Sequence, residues 1–221
     1  MHSWQDLSKG VGILGGTFDP IHIGHTEVAK FVCNKYDLAR VVIIPAFLNP
    51  VKVHEEILAG SRDRLVMAYL ATLEEEKLFV DPIEIERGRH NPGPSYMIDT
   101  LHIYRLRYPE VPLTLIVGAD NVAFHLWKDI DQYPELLRRI AVVGRPTYEL
   151  ETSKDFAVVK ERHPKVAELV EFHPEVNIPI SSTAVRESLR GGKVPVNVLH
   201  PAVSKYILKY GLYGCKEVCH L

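Results

Sequence analysis

Short runs of apolar residues alternate along the chain with longer segments in which apolar residues recur at helical spacing. The runs predict strands at 11–14, 41–44, 78–80, 83–85, 113–117 and 140–143. The periodic segments predict helices at 26–32, 61–75, 95–104 and 181–190, with Ser61 as the N-cap of the second. Strands that are apolar throughout are typical of parallel sheets covered on both faces. The pattern therefore predicts an α/β protein with a doubly wound parallel sheet.

The length and composition of the chain favour a single domain. Its 221 residues, 46% of them hydrophobic and 24% charged, are enough for one α/β core and few for two. We expect one domain over 1–221, with a core at about 10–213 between short flexible tails. The segment 147–174 is charged and favours helix, but its pattern marks no clear element.

The charge and the apolar runs limit the partners of the chain. A net charge of −2 provides no basic track for a nucleic acid, so anionic ligands must be held by local groups. No run approaches the roughly 20 apolar residues that cross a bilayer. Residues 1–6 also lack the basic and apolar regions of a secretory signal. We therefore expect a cytoplasmic protein without a nucleic-acid or membrane partner.

The three cysteines do not form an even disulfide framework, which suits a reducing compartment. Cys215, Cys219 and His220 could suggest a metal site near the C-terminus. A structural zinc site needs four ligands, however, and this segment supplies three at an unusual spacing. We interpret it as an incidental tail and expect no metal ion held by the protein.

Four loops follow the carboxyl ends of predicted strands, at 15–25, 45–52, 118–121 and 144–146. In open parallel sheets, ligands bind beyond these strand ends, where the strand order reverses. We therefore expect the four loops to form a single site.

The first of these loops has the composition of a phosphate site. Gly15 and Gly16 allow a tight turn and a close backbone approach. The helix that follows offers its N-terminal amides and the positive end of its dipole to an anion. His22 and His25 are three residues apart, so both imidazoles can point at one place. A plain structural turn would not need all of these features together.

A second candidate phosphate segment begins at Ser181. Ser181, Ser182 and Thr183 can cap a helix, Arg186 lies one turn further on, and Gly191 and Gly192 can end that helix. An arginine at this position can reach an oxyanion held at the helix N-terminus. Taken alone, the segment fits a well-capped surface helix equally well.

Together the two segments resemble a known family. The residues from Gly15 to His25 resemble the first motif of the nucleotidyltransferase superfamily with His-x-Gly-His. Their longer form, Gly-Gly-Thr-Phe-Asp-Pro-x-His-x-Gly-His, is most similar to nicotinate/nicotinamide mononucleotide adenylyltransferases. The residues from Ile180 to Arg186 resemble the second motif of that family, Ile-Ser-Ser-Thr-x-x-Arg. Class I aminoacyl-tRNA synthetases share His-x-Gly-His, but their Lys-Met-Ser-Lys-Ser loop is absent here.

The resemblance implies a Rossmann-like sheet of the nucleotidyltransferase type and a set of residues around ATP. The implied catalytic residues are His22, His25 and Arg186. The implied ATP-binding residues are Gly15, Gly16, Thr17, Phe18, Gly24, Lys52, Gly118, Asp120, Ile180, Ser181, Ser182 and Thr183. Lys52 follows Pro50-Val51, where the bacterial pattern has Pro-His, and Asp120 is implied as a ribose partner.

The resemblance also implies a binding site for the mononucleotide. The segment 93–101 resembles Gly-Pro-Ser-Tyr-Thr-x-Asp-Thr, with Met97 where threonine is usual, and backbone amides at this helix start would hold a nicotinate carboxylate. Trp127 matches the tryptophan that stacks on the nicotinate ring, although the residue alone would also suit a core. The implied substrate-binding residues are Ser95, Tyr96, Met97, Ile98, Trp127 and Arg145.

The activity that the resemblance implies is transfer of AMP from ATP to nicotinate mononucleotide, giving deamido-NAD and pyrophosphate. Mg²⁺ would be bound through the ATP phosphates, and the chain could form a homo-oligomer. Three alternatives stay open: an enzyme for nicotinamide mononucleotide or for both mononucleotides, a phosphopantetheine adenylyltransferase, and a non-catalytic nucleotide sensor.

Overall fold

The computed structural model describes residues 7–50, 58–119, 127–144, 153–176 and 178–215. The strands are β1 (Val11–Gly16), β2 (Arg40–Pro45), β3 (Leu78–Val80), β4 (Leu113–Gly118), β5 (Arg139–Val143) and β6 (Val170–His173). The helices are α1 (Ile23–Lys35), α2 (Ser61–Ala71), α3 (Ile83–His90), α4 (Met97–Arg107), α5 (Tyr133–Leu136), α6 (Lys154–Arg162), α7 (Pro164–Ala167), α8 (Ser182–Arg190) and α9 (Pro201–Tyr210). Short 3-10 turns lie at Leu7–Lys9, Ile130–Gln132 and Leu212–Gly214.

Within the described ranges, six strands form one sheet in the order β3-β2-β1-β4-β5-β6. The pairs β1 with β4, β4 with β5 and β5 with β6 are parallel. The strand order reverses between β1 and β4, because the chain first moves outward to β3 and then returns to the other side of β1. The sheet is flanked by helices, which confirms the predicted α/β, Rossmann-like, doubly wound fold.

The chain divides into two compact units, each built from three separate stretches. The first unit contains Met1–Gly15, Val28–Val42 and Tyr96–Ile178. The second contains Gly16–Glu27, Ile43–Ser95 and Pro179–Leu221. The expectation of a single domain over 1–221 stays a prediction.

Each unit has its own buried apolar residues. In the first, strand residues such as Ile13, Leu113 and Ile140 have no exposed surface. In the second, Met67 on α2 and Ile207 on α9 are equally buried, on two helices that contact each other. These interiors support the loops that carry the candidate functional residues.

The predicted strand at 83–85 is wrong, because these residues form the first turn of α3. The Asp81 carboxylate accepts a hydrogen bond from the Ile83 amide at 2.9 Å, which begins the helix. Glu84 and Glu86 in the first turn, and three basic residues in the last, also suit the helix dipole. The three-residue alternation Ile-Glu-Ile was too short to distinguish a strand from a buried helix turn.

The boundaries of two predicted helices also need correction. Helix α2 has Gly60 rather than Ser61 at its N-cap, and it ends at Ala71 rather than at 75. The Thr72 hydroxyl donates to the Ala68 carbonyl at 3.1 Å, in place of a further helical turn. Helix α4 begins at Met97, since Ser95 is held by the loop after β2.

The segment 147–174 contains more structure than its pattern showed. Its described part, from 153, forms α6, α7 and β6. The Ser153 hydroxyl caps α6 by accepting from the Phe156 amide at 3.1 Å. The strand β6 was missed because its sequence, Val-Glu-Phe-His, alternates like an exposed edge. The other predicted strands are confirmed, and no helix in the described ranges is long and apolar enough to span a bilayer.

Candidate active site

The loop after β1 turns sharply at Gly16 and Phe18. A Cβ on Gly16 would lie 2.8 Å from the Phe18 ring, so only glycine fits beneath that ring without a shift. Phe18 itself has a φ of 53°, in the left-handed region that few bulky residues adopt. Its ring meets His25 edge-on, with the centroids 5.0 Å apart. The predicted residues Gly16, Thr17 and Phe18 therefore shape the turn that leads to the histidines.

Asp19 anchors this loop with a buried carboxylate that is 4% exposed. Its Oδ2 accepts from the Leu58 amide at 3.0 Å, and its Oδ1 accepts from the Ala59 amide at 3.1 Å. The Tyr213 hydroxyl donates to Oδ1 at 2.7 Å. Burial and the nearby carboxylate raise the pKa of Tyr213, so its hydroxyl stays protonated and remains a donor.

Arg64 connects the same loop to two other segments of the second unit. It is 1% exposed and donates to the carbonyls of Thr17, Phe47 and Ala59 at 2.6, 3.1 and 3.3 Å. Burial lowers the pKa of Arg64, and the negative charge of Asp19 opposes that shift. A buried cation with all three acceptors fixed holds the loops after β1 and β2 in one arrangement.

His22 and His25 lie face to face at the start of α1. Their ring centroids are 3.7 Å apart with an interplanar angle of 27°, which confirms that both imidazoles reach one place. The His22 amide donates to Nδ1 of His25 at 3.1 Å. Nδ1 of His25 therefore carries a lone pair, and in the neutral ring the proton is on Nε2.

His22 is buried, and burial lowers its pKa to about 4. The ring is therefore neutral near pH 7. Nδ1 of His22 has no hydrogen-bond partner among the residues that the structure describes. Buried polar atoms are nearly always paired, and an orphaned one is a sign of a functional group.

The second motif forms the first turn of α8. The Ser181 hydroxyl caps the helix by accepting from the Ala184 amide at 3.2 Å, as predicted, and the helix ends at Arg190 before Gly191. The Ser182 hydroxyl donates to the Pro20 carbonyl at 3.0 Å. Ile180 and Ser181 are half-buried beside this turn.

Arg186 binds the loop of the first motif directly. Its Nη1 donates to the Asp19 carbonyl at 2.8 Å, and its Nη2 donates to the Thr183 hydroxyl at 3.2 Å. These bonds use two of the five N–H groups of the guanidinium. The structure thus brings together His22, His25, Arg186 and the hydroxyls of 181–183 within the second unit.

Ser95 belongs to the second unit and supports the loop after β2. Its hydroxyl accepts from the Phe47 amide at 3.1 Å, and its own amide donates to the Leu48 carbonyl at 2.7 Å. Thr17 bonds to the same loop, because its hydroxyl accepts from Asn49 at 3.0 Å. Both side chains hold backbone in place.

The first unit contains the other described candidates for substrate contact. Tyr96 is the N-cap of α4, and Ile98 is 1% exposed, so only its backbone can meet a ligand. The Met97 methyl group occupies the space that a Cβ on Gly15 would need. Lys128 Nζ lies 3.2 Å from the Asp99 carboxylate and 4.8 Å from the centre of the Tyr96 ring. Trp127 lies against Tyr133, with ring centroids 5.2 Å apart.

Gly118 is the last residue of β4, at the carboxyl edge of the sheet. The predicted residues Lys52, Asp120 and Arg145 lie outside the described residues, as do Cys219 and His220. Gly24 is buried in the first turn of α1. The expectation that all four loops form one site stays a prediction.

The sequence reasoning missed three residues that build this site: Asp19, Arg64 and Tyr213. For Arg64 a signal existed, because it occupies the buried stripe of α2 together with Met67, Ala68 and Ala71. An arginine at such spacing points to a buried cation with fixed acceptors. No local pattern pointed to Tyr213, whose partner Asp19 is 194 positions away.

Comparisons with known proteins place the chain in a family. A family model described as cytidylyltransferase-like matches residues 13–188. A probable nicotinate-nucleotide adenylyltransferase of Halalkalibacterium halodurans is 39% identical over 214 residues, covering 95% of this chain and 93% of that protein. One of Aeromonas salmonicida is 32% identical over 216 residues, covering 94% and 98%.

A solved structure has the same fold. The Plasmodium falciparum nicotinic acid mononucleotide adenylyltransferase, complexed with NaAD, aligns with a TM-score of 0.69 at 20% identity. The alignment covers 93% of this chain and 98% of that one. Because relatives at 39% and 32% identity match more than nine-tenths of the chain, the chain belongs to the nicotinate-nucleotide adenylyltransferase family.

Proposed function

We propose that the chain transfers AMP from ATP to nicotinate mononucleotide, giving deamido-NAD and pyrophosphate. Its family membership supports this reaction. The observation that carries the proposal is the stacked pair His22 and His25 at the start of α1, with a buried, unpartnered Nδ1 on His22 among the described residues. Donors arranged in this way suit the oxygens of a triphosphate.

The reaction needs no general base. The phosphate of the mononucleotide has a second pKa of about 6, so it is already an anion near pH 7. One of its oxygens attacks the α-phosphorus of ATP, the bond from that phosphorus to the bridging oxygen breaks, and pyrophosphate leaves with the electron pair. The protein has to align the two phosphates and stabilise the charge that develops.

His22 and His25 are proposed to donate to the α- and β-phosphates. The lone pair on Nδ1 of His25 leaves its Nε2–H as the donor. Because the pKa of His22 is lowered to about 4, His22 also acts as a neutral donor near pH 7. Neither ring is a nucleophile in this proposal.

Arg186 is proposed to clamp the β- and γ-phosphates from the first turn of α8. The amides near Ser181 and Ser182 and the hydroxyl of Thr183 would form the second part of the phosphate site. Gly15 and Gly16 make room for the Met97 methyl group and the Phe18 ring, and Gly24 is buried, so the ATP contacts proposed for these glycines are through backbone atoms. Gly118, Ile180 and the residues Lys52 and Asp120 complete the proposed ATP contacts.

Mg²⁺ is proposed to arrive on the phosphate oxygens of ATP, where it neutralises charge. Among the described residues, no three His, Cys, Asp or Glu side chains are grouped so that they could hold a metal ion. The Asp19 carboxylate is engaged by three donors, so it is not set up as a ligand. A magnesium ion held mainly by substrate phosphates suits this donor set.

The nicotinate carboxylate is proposed to bind at the N-terminus of α4, through backbone amides near Tyr96, Met97 and Ile98. Such amides do not depend on the side chain at 97, so methionine can replace the usual threonine. Trp127 would stack on the ring, and Ser95 and Arg145 would complete the contacts. A cytoplasmic location, the absence of nucleic-acid or membrane partners and a homo-oligomeric state belong to the same proposal.

Pyrophosphate release from ATP and Mg²⁺ tests the function, with nicotinate mononucleotide, nicotinamide mononucleotide and phosphopantetheine supplied in parallel. We expect turnover with nicotinate mononucleotide well above the other two. A preference for the amide would retain adenylyl transfer and overturn the carboxylate site at α4. Activity with phosphopantetheine alone would assign a different substrate, and ATP binding without any turnover would make the chain a nucleotide sensor.

A further inference from the structure

Tyr213 is placed to control the first motif from the opposite end of the sequence. It lies in the turn after α9, is 6% exposed, and its hydroxyl donates to the Asp19 carboxylate at 2.7 Å. Its φ of 59° is left-handed, a conformation that non-glycine residues rarely hold without compensation. The buried ring and the anchored hydroxyl supply that compensation.

The carboxylate that Tyr213 reaches belongs to the residue whose carbonyl holds Arg186. With its side chain fixed by Tyr213 and by two backbone amides, Asp19 presents its carbonyl to Nη1 of Arg186 at 2.8 Å. The next carbonyl, that of Pro20, accepts from Ser182 at 3.0 Å. Tyr213 therefore holds the side chain of Asp19, and α8 binds the backbone carbonyls of Asp19 and Pro20.

We propose that Tyr213 is a positioning residue for adenylyl transfer, which acts through Asp19 to hold Arg186 in its working place. The inference rests on the function proposed above, because it assumes that Arg186 contacts the phosphates. Removing the hydroxyl takes one of the two donors from Oδ1 of Asp19 and leaves the Ala59 amide as the other. The peptide that holds Arg186 then loses part of its restraint, and misplacement of a charged donor lowers the rate more than ground-state binding.

Tyr213→Phe tests this role, with Tyr206→Phe as the matched control. Tyr206, on α9, also donates a hydrogen bond to an aspartate at 2.9 Å, but this aspartate is Asp63 on α2 rather than a residue of the motif loop. We expect Tyr213→Phe to lower kcat about tenfold, with the KM for ATP changed by less than about twofold. Tyr206→Phe should keep kcat within about twofold of the original value.

The route through Arg186 is tested by combining Tyr213→Phe with Arg186→Ala. If Tyr213 acts through Arg186, the tyrosine substitution should change kcat by less than about twofold in the Arg186→Ala background. A further tenfold loss there would overturn the route. Equal kcat values for Tyr213→Phe and Tyr206→Phe would overturn the positioning role itself.

Folding is followed by circular dichroism and thermal unfolding of both single variants. Because phenylalanine keeps the ring and removes one oxygen, we expect Tyr213→Phe to be folded at 10 °C. A variant that is unfolded there, while Tyr206→Phe is folded, would make Tyr213 a purely structural residue. If the unsubstituted protein shows no turnover at all, the proposed function is wrong. If it turns over and only the variants behave otherwise than expected, the positioning role alone is wrong.

Discussion

The loop of the first motif and the N-terminus of α4 hold their charged groups in opposite ways. Asp19 of the loop is 4% exposed and its carboxylate meets three donors, and Arg64 on α2, which binds the loop, is 1% exposed with three carbonyl acceptors. At α4, Lys128 and Asp99 form one ion pair, and each side chain is 41% exposed. Charges interact far more strongly away from water. The loop is therefore rigidly organised before any nucleotide binds, and the α4 pair is free to rearrange.

The largest expected effect is on stability, from Arg64→Leu. The substitution removes the donor to three buried carbonyls and leaves Asp19 without its nearby cation. We expect the free energy of unfolding to fall by about 3–5 kcal/mol in urea titrations. Arg62→Leu, an exposed position on the same helix, should change it by less than about 0.5 kcal/mol. A loss below about 1 kcal/mol for Arg64→Leu would contradict the organised loop.

The next largest effect is on catalysis, from His25→Ala. Removing a donor aimed at the developing charge commonly costs about 2.7–4 kcal/mol, so kcat at saturating ATP should fall about 10²–10³-fold. His102→Ala, at an exposed histidine on α4 that bonds to Gln132, serves as the control and should retain kcat. A loss of only a few fold for His25→Ala would remove His25 from the phosphate contacts.

The buried state of His22 predicts a pH dependence of stability. Its pKa is lowered from 6.5 to about 4 in the folded protein, so the unfolded chain binds the proton more tightly between those values. This contribution to stability is fully present above pH 6.5 and is lost as the pH falls to 4. The contribution of His22 to the free energy of unfolding is about 3 kcal/mol at most, because each unit of pKa difference corresponds to about 1.4 kcal/mol.

The measurement compares the free energy of unfolding of the unsubstituted protein with that of the His22→Asn variant across pH 4 to 7. The variant lacks the titrating ring, so its stability should fall less steeply below pH 6.5. Parallel curves for the two proteins would mean that His22 is not buried as a neutral ring.

The smallest effect is expected at α4, from a double-mutant cycle of Lys128→Gln and Asp99→Asn. For a half-exposed ion pair, the coupling energy should be below about 1 kcal/mol and should shrink further at high salt. Urea unfolding at two salt concentrations measures it. A salt-independent coupling above about 2 kcal/mol would remove the contrast between the two regions.

The sequence predicted the local geometry of the two motifs better than the side chains that support them. The stacked histidines and the capped turn at Ser181 follow from local spacing. In both cases the interacting residues are three positions apart at the start of a helix, so they are close in sequence as well as in space. The support comes from long-range contacts, such as Arg186 with Asp19 across 167 positions, which no local pattern encodes. The wrong strand at 83–85 has a related cause, since the Asp81 side chain outweighed a three-residue alternation.

The hydrogen bond between Asp19 and Tyr213 joins residues that are synthesised far apart in time during translation. The two residues are 194 positions apart, and ribosomes add about 5–20 residues per second. Asp19 is therefore added to the chain about 10–40 s before its third hydrogen-bond donor is synthesised. A nascent chain that extends past Arg186 but stops short of Tyr213 carries both histidines and Arg186, and it lacks the residue proposed to hold Arg186 in place.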